Sequence, residues 1–389
     1  MIKDPLSIVT VLLLIEGLIF FLAEESRTKW FFNFLPPMFW IYFLPMLATT
    51  AGILPAESDA YSFITKNLLP ASLILLLLSV DLRQIARLGK PALLMMLAGS
   101  LGIVVGGPAA LILFQPWLPE GVWSGFGALS GSWIGGSANM VAVKEGLGTP
   151  QAIFTPMIVV DTVVAYSWMG LLIALVRFQN VFDRWNGSDT RVMDDLNRKM
   201  AVAEKQRSEP LTLKYAVLIF MVGFVGTFIA WKVGGKLPEV KKLVSAYTWT
   251  IVVVSTLGIG LSFTPIRKLE TYGASRIGYG LLYFVLASIG AKASLADIFA
   301  APVLILAGVV WVLIHGLILL AASRLLRAPM FLAVTASQAN IGGPASAPVV
   351  AGIYQPALAS VGLLLAIVGN IMGTYLGILC GQLCRMVSR

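Results

Sequence analysis

Hydroxyl and amide side chains crowd into two short phrases of an otherwise apolar chain, LSGSWIGGSANMVAV from Leu129 and ASQANIGGPASAPVV from Ala336. The first offers Ser130, Ser132, Ser137 and Asn139; the second, with Thr335 just ahead of it, offers Ser337, Gln338, Asn340 and Ser346. One fixed offset lays Ser130 on Ser337 and, with it, Ile134 on Ile341, Gly135 on Gly342, Gly136 on Gly343, Ala138 on Ala345 and Val143 on Val350. Glycine lets a chain leave helical geometry, and proline removes a backbone donor, so helix breaks are expected at Gly135, Gly136, Gly342, Gly343 and Pro344. Carbonyls and N–H groups freed by such breaks can coordinate a cation or an anion, and paired breaks in two halves of a membrane chain point to a transporter's site. The competing reading is that Gly131-x-x-x-Gly135 only lets helices approach closely, which does not explain the hydroxyls and amides.

Asp161 lies among Val159, Val160, Val163 and Val164, in the apolar run that follows the first phrase. A carboxylate at mid-span costs about 3 kcal/mol on insertion scales, so a partner or a wet cavity is expected beside it. The same offset carries Asp161 onto Val368, two residues from Asn370. The ion ligands read from this pattern are Ser130, Asn139, Asp161 and Thr162. The solute contacts are Ser132, Ser137, Ser337, Gln338, Asn340, Ser346 and Asn370. Gly373-x-x-x-Gly377-x-x-x-Gly381 reads as a packing face. His315, the single histidine, reads as a bond between helices; Glu16 is given no role, and Lys292 as an interfacial cation. No metal cluster, prosthetic group or catalytic set is expected, only Na⁺ or H⁺ as coupling ion.

These residues need elements that cross a bilayer. With 58% apolar and 12% charged residues, the charged fraction is about half that of a soluble domain. Ten apolar runs occupy 6–23, 34–54, 60–80, 92–114, 150–177, 211–234, 244–264, 274–291, 302–323 and 356–384. Each approaches or exceeds the roughly 20 residues a spanning helix needs. The first run lacks a basic flank and a small-x-small cleavage site, so a retained helix is expected. A net charge of +9 fits the Lys and Arg of cytoplasmic loops rather than nucleic acid. Cys380 and Cys384 share one helical face and read as packing residues, with no disulfide framework.

Charge also bears on direction. If both glycine phrases crossed the membrane, the basic residues of the two halves would fall on opposite sides. If each phrase is a re-entrant hairpin, ten crossings remain, and 18 of the 28 Lys and Arg gather on one side, including Arg83, Arg177, Arg267, Arg324 and Arg327. That side is read as cytoplasmic and both termini as outside. The fold class expected is an all-α polytopic membrane protein of two inverted repeats, each of five helices plus a broken or re-entrant glycine-rich segment. The N-terminal repeat covers 1–178, a cytoplasmic linker 179–210 and the C-terminal repeat 211–389. Within the linker, Val192, Leu196, Met200 and Ala203 have the spacing of a short surface helix.

GSWIGGSANMVAVKE together with ASQANIGGPASAP resembles the signature of the YjcL-like family, membrane proteins of bacteria and plastids filed as a domain of unknown function. That family is similar in turn to the cation/proton antiporters and bile-acid-type sodium symporters. The resemblance implies inverted repeats, discontinuous helices in a core domain, elevator movement, and ion ligands at Ser130, Asn139, Asp161, Gln338, Asn340 and Asn370. Thr162 follows Asp161 where proton antiporters carry paired aspartates, which argues against that kind of proton exchange. The function expected is a secondary active transporter, not an enzyme, that moves a small carboxylate-bearing solute with Na⁺ or H⁺. Its setting is the bacterial inner membrane, its partners the bilayer and the solute, with room for a homodimer and none for nucleic acid. The alternatives are a passive channel, since glycine loops also filter ions, and an intramembrane hydrolase pairing Ser130, Ser132 or Ser137 with His315.

Overall fold

The computed structural model describes all residues except 1, 3, 26–31, 33–36, 81–84, 87, 190, 192–208, 240–244, 294–300, 355–357 and 389. Of the 28 Lys and Arg counted for sidedness, Lys3, Arg27, Lys29, Arg83, Arg87, Arg198, Lys199, Lys205, Arg207, Lys241, Lys242 and Arg389 lie outside the described residues, as does the spacing of Val192 to Ala203. Regular structure in the rest is helical. In chain order the helices are α1 (Pro5–Glu24), α2 (Pro37–Thr50), α3 (Asp59–Leu77), α4 (Gly89–Phe114), α5 (Trp123–Gly135), α6 (Ser137–Leu147), α7 (Gln151–Ala174) and α8 (Gln179–Asn186). They continue with α9 (Leu213–Gly234), α10 (Ala246–Ser262), α11 (Ala274–Gly290), α12 (Ala301–Leu326), α13 (Met330–Ile341), α14 (Gly343–Tyr354) and α15 (Ala359–Val387).

Each of the ten apolar runs holds a helix. Among the described residues, seven are long and apolar enough to cross a bilayer, or eight if α10 and the 3-10 turn Pro265–Tyr272, bent by 92°, form one span. Helices α2 and α11, of 14 and 17 residues, are shorter than the about 20 that a full crossing takes. The surface is as apolar as these lengths require: on α9, Leu213, Val217 and Phe228 are exposed, as are Leu6 and Phe21 on α1. The chain is an all-α polytopic membrane protein.

By contacts the chain divides into two compact units, each drawing segments from both halves of the sequence. The first comprises Met1–Ser79, Thr149–Thr162 and Arg207–Ala301. Its axis is α3, whose residues from Ala71 to Leu77 are approached by small residues of three neighbours: Gly223 and Gly226 of α9, Gly258 of α10 and Gly278 of α11. Leu75, Leu78, Ile219, Leu269 and Ala274 form a buried cluster there. Helix starts follow local chemistry. The Asp4 carboxylate accepts from Ser7 N at 2.8 Å to cap α1, and Ser245 and Thr248 close a reciprocal capping box on α10.

The second unit comprises Val80–Gly148, Val163–Gln206 and Pro302–Arg389. Its axis is α15. A Cβ added to Gly127 would meet Leu147, one on Gly131 would meet Val143, and one on Gly135 would meet Asn139, so α5 and α6 run antiparallel as a hairpin. The second phrase also folds back: Gln338 Nε2 donates to Ser346 Oγ at 2.7 Å, a pairing that eight residues of continuous helix would hold about 12 Å apart. Both glycine phrases are therefore hairpins rather than straight crossings.

Their directions follow from what they touch on α15. The base of the first hairpin, Gly127, lies against Gly381, and its tip, Gly135, against Gly369 and Gly373. The base of the second, Gly352, lies against Ala359, and Ala347, nearer its tip, against Gly362. The hairpins thus enter from opposite ends of α15 and converge on its middle, the opposed arrangement that inverted halves call for.

Candidate functional site

The tips meet. A Cβ on Gly343 would stand 3.8 Å from Gly136 Cα, and one on Gly136 would stand 3.7 Å from Asn370 Oδ1. Gly136 has φ +79 and ψ 179, and Gly343 has φ +62, conformations that side chains with a Cβ rarely adopt. The breaks fall at these two residues. Gly135 ends α5, Gly342 caps α13 with an ordinary φ of −107, and Pro344 occupies the first turn of α14. Because Gly136 has no side chain, the N-terminal end of α6 carries no side-chain cap at this point. The positive end of its backbone dipole therefore faces the meeting of the tips, with Asn370 Oδ1 nearby. In α14, Pro344 removes one of the corresponding donors.

The two asparagines hold the hairpins in place by the same three-bond pattern. Asn139 Nδ2 donates to Gly135 O at 2.6 Å and Asn370 O at 3.3 Å, and Asn139 Oδ1 accepts from Thr374 Oγ1 at 2.6 Å. Asn340 Nδ2 donates to Ala336 O at 2.9 Å and Met96 O at 3.4 Å, and Asn340 Oδ1 accepts from Ser100 Oγ at 2.8 Å. Asn139 reaches back across the break to the last carbonyl of α5, and Asn340 to a carbonyl one turn earlier in α13; each also grips a carbonyl of a neighbouring helix, while the hydroxyl four residues beyond that carbonyl closes the ring. One clamp fixes the first hairpin to α15, the other the second hairpin to α4.

The remaining residues read from the sequence are distributed around this point. Ser130 is fully buried and its hydroxyl donates to Gly127 O at 2.7 Å. Ser132 is buried; Ser137, Ser346 and Asn370 are half-buried. Ser337 joins three elements. His315 Nδ1 faces Gly99 O at 2.9 Å, and a carbonyl only accepts, so Nδ1 carries the proton and Nε2 accepts from the Ser337 hydroxyl at 2.9 Å. Ser337 Oγ in turn accepts from Trp168 Nε1 at 2.9 Å. His315 is thus a bond between α12, α4 and α13, and the serine it meets is none of Ser130, Ser132 or Ser137.

Two oxygens of α13, Gln338 Oε1 and Thr335 Oγ1, are among the buried polar atoms that take no hydrogen bond among the described residues. Gln338 is 1% exposed and sits one turn before Gly342, the C-cap of α13. A buried acceptor without a donor is costly, about 1–3 kcal/mol, and calls for a ligand or an ordered water. Asp161 and Thr162 lie in the part of α7 that belongs to the first unit, half-buried, with Thr162 Oγ1 donating to Ile158 O at 2.9 Å. The second unit therefore holds Asn139 and Asn370 at the first tip and Gln338 and Ser346 at the second, with Ser130 farther down α5 against Gly127 and Gly377, and does not contain Asp161 or Thr162. Sequence reasoning passed over Ser100, Thr374 and Trp168. Thr374 had a signal, one turn after Asn370 on the same face; Ser100 and Trp168 had none.

The sequence matches the family described as "Protein of unknown function (DUF819)" over residues 10–387. It is also 28% identical over 345 residues to the uncharacterized membrane protein YjcL of Bacillus subtilis (strain 168), covering 85% of this chain and 86% of that one.

Proposed function

The chain belongs to the DUF819 family, and from that premise we propose that it is a secondary active transporter of a small carboxylate-bearing solute, driven by Na⁺ or H⁺. The observation that carries the reading is the meeting of two opposed hairpin tips at the middle of α15, with Gln338 Oε1 buried and unpaired beside it. The uncapped start of α6 suits a carboxylate. Gln338 Oε1 and Thr335 Oγ1 suit a donor on the same solute, as an amino acid or a hydroxy acid carries. Coupling is assigned to Asp161, the one acid of α7, because the bilayer opposes its charge and any partner that relieves that cost is linked to its protonation or to Na⁺. In alternating access of the elevator type, the unit that holds both hairpins moves as a body across the cytoplasmic membrane of a bacterium. No catalytic step is assigned to the His315–Ser337 pair, which serves as a bridge between helices.

Proteoliposomes test this directly. Asp161→Asn is expected to abolish gradient-driven accumulation from a metabolite panel while the protein still melts cooperatively. Gln338→Leu is expected to weaken solute-dependent thermal stabilisation at least about tenfold in concentration, the loss of one buried hydrogen bond to a ligand. Unchanged Na⁺ and H⁺ dependence in Asp161→Asn removes the coupling assignment, and large single-channel currents replace the transporter with a channel.

A further inference from the structure

A groove of about 650 Å³ runs along the second unit, walled by Trp168, Leu172, Phe182, Trp185, Leu317 and Met330. That volume lies within the roughly 300–1,000 Å³ of small-ligand sites. Its chemistry excludes a water-soluble occupant: the hydroxyl in its wall is that of Ser337, already bonded to His315 and Trp168. Its α12 rim is open, with Leu313, Leu317 and Leu320 exposed by 49%, 65% and 41% on a helix that crosses the bilayer, so the groove is continuous with hydrocarbon.

One end of the groove is built differently. Phe178 and Trp185 are exposed there, the Arg177 guanidinium lies 5.7 Å from the Phe178 ring centre, and that of Arg324 lies 5.1 Å from the Trp185 ring. Arg324 Nη1 also donates to Trp185 O at 3.0 Å. Arg184 and Arg327 are exposed at the same corner, where Asn186 Nδ2 donates to Ala328 O and Ser323 O and so pins α8 to the end of α12. Two described acids nearby are engaged: Asp183 Oδ1 accepts from Met330 N at 2.8 Å, and Asp189 is bonded to Arg191. Neither of the ion pairs among the described residues involves Arg177, Arg184, Arg324 or Arg327. Aromatic rings capped by guanidinium groups at the end of an apolar groove match the headgroup level of a bilayer, and guanidinium forks suit phosphate.

The geometry points to a binding site for an anionic phospholipid, with one acyl chain in the groove against α13 and its phosphate among the arginines of the α8–α12 corner. The bound chain lies along the first arm of the second hairpin and braces it from the bilayer side. The test is native mass spectrometry of the full chain in detergent, titrated separately with phosphatidylglycerol, phosphatidylcholine and glycerol phosphate. Phosphatidylglycerol is expected to be retained on the order of tenfold more tightly than phosphatidylcholine, as two interfacial arginines allow, and glycerol phosphate not at all. Arg177→Gln with Arg324→Gln is expected to remove the preference, and Leu317→Trp, which fills the groove, to weaken both lipids. Equal retention of the two lipids by the native protein, binding of glycerol phosphate as tight as that of phosphatidylglycerol, or a preference that survives the double arginine variant overturns the proposal.

Discussion

Asn139 and Asn340 combine two properties that a buried amide seldom has together: every polar atom is engaged, and each amide bridges a hairpin to a separate helix. That arrangement makes them clamps. Removing one leaves a hydroxyl, Thr374 or Ser100, buried without its acceptor, at a cost of about 1–3 kcal/mol. Bonds between helices in bilayers average less than this, about 0.6 kcal/mol, because the unfolded chain finds other partners. Asn340→Ala is therefore expected to destabilise the protein in detergent by about 1 kcal/mol, and Ser100→Ala by a similar amount, with the double variant clearly less destabilised than the sum. Denaturant titration of the four proteins reads this out, and strict additivity would show that the two side chains do not act as a pair. For the same reason Asn139 and Asn340 are poor candidates to ligate an ion: their oxygens are already accepting. Gln338, whose oxygen takes no hydrogen bond among the described residues, keeps an acceptor open for the donor of a solute.

The hairpins were legible as elements because hydroxyls and amides beside paired glycines, repeated at a fixed offset inside apolar sequence, are what a broken helix leaves in each of two duplicated halves. Counting Lys and Arg then separates a re-entrant from a crossing segment. All ten apolar runs became helices for a related reason, since burial in lipid forces the backbone to satisfy itself. The partners of each helix were not legible. That α3 collects Gly223, Gly258 and Gly278 depends on segments more than a hundred residues away, and every small residue in such helices is an equal candidate for packing. The interface of α5 with α15 is a partial exception, since both carry glycine at four-residue spacing. A Cβ on Gly377 would lie 2.9 Å from Gly131 Cα, and one on Gly373 2.7 Å from Gly135 Cα, both below any ordinary contact. Gly377→Ala is accordingly expected to lower the melting temperature of the purified protein, although alanine is the better helix former by about 1 kcal/mol. Gly17→Ala, on α1 with nothing within 4 Å of an added Cβ, supplies the matched control and should lose nothing. A Gly377→Ala protein as stable as that control would mean that α5 and α15 part without cost.

The compact units cut across the halves of the sequence, and both hairpins fall in one of them. The phrase recurs once in each half of the sequence, and packing gathers its two copies around a single helix. In that unit the base of the first hairpin lies at the Gly381 end of α15 and the base of the second at the Ala359 end, and α15 is 29 residues long and apolar enough to span. The two bases must then open on opposite faces of the membrane. Cys380 and Cys384 are buried, so a background with both changed to alanine gives a clean starting point for labelling. Glu120, exposed in the turn before α5, and Asp189, exposed and bonded through its N–H to Arg327 O beside the start of α13, report the two bases. In right-side-out vesicles a membrane-impermeant maleimide is expected to label Glu120→Cys but not Asp189→Cys, and in inverted vesicles the reverse, which also places Arg324 and Arg327 inside as positive charge requires. Labelling of both cysteines from the same face would overturn the opposed hairpins, and with them the shared site at the tips. Labelling from opposite faces in the reversed sense would keep the hairpins opposed and place the arginine corner in the outer leaflet.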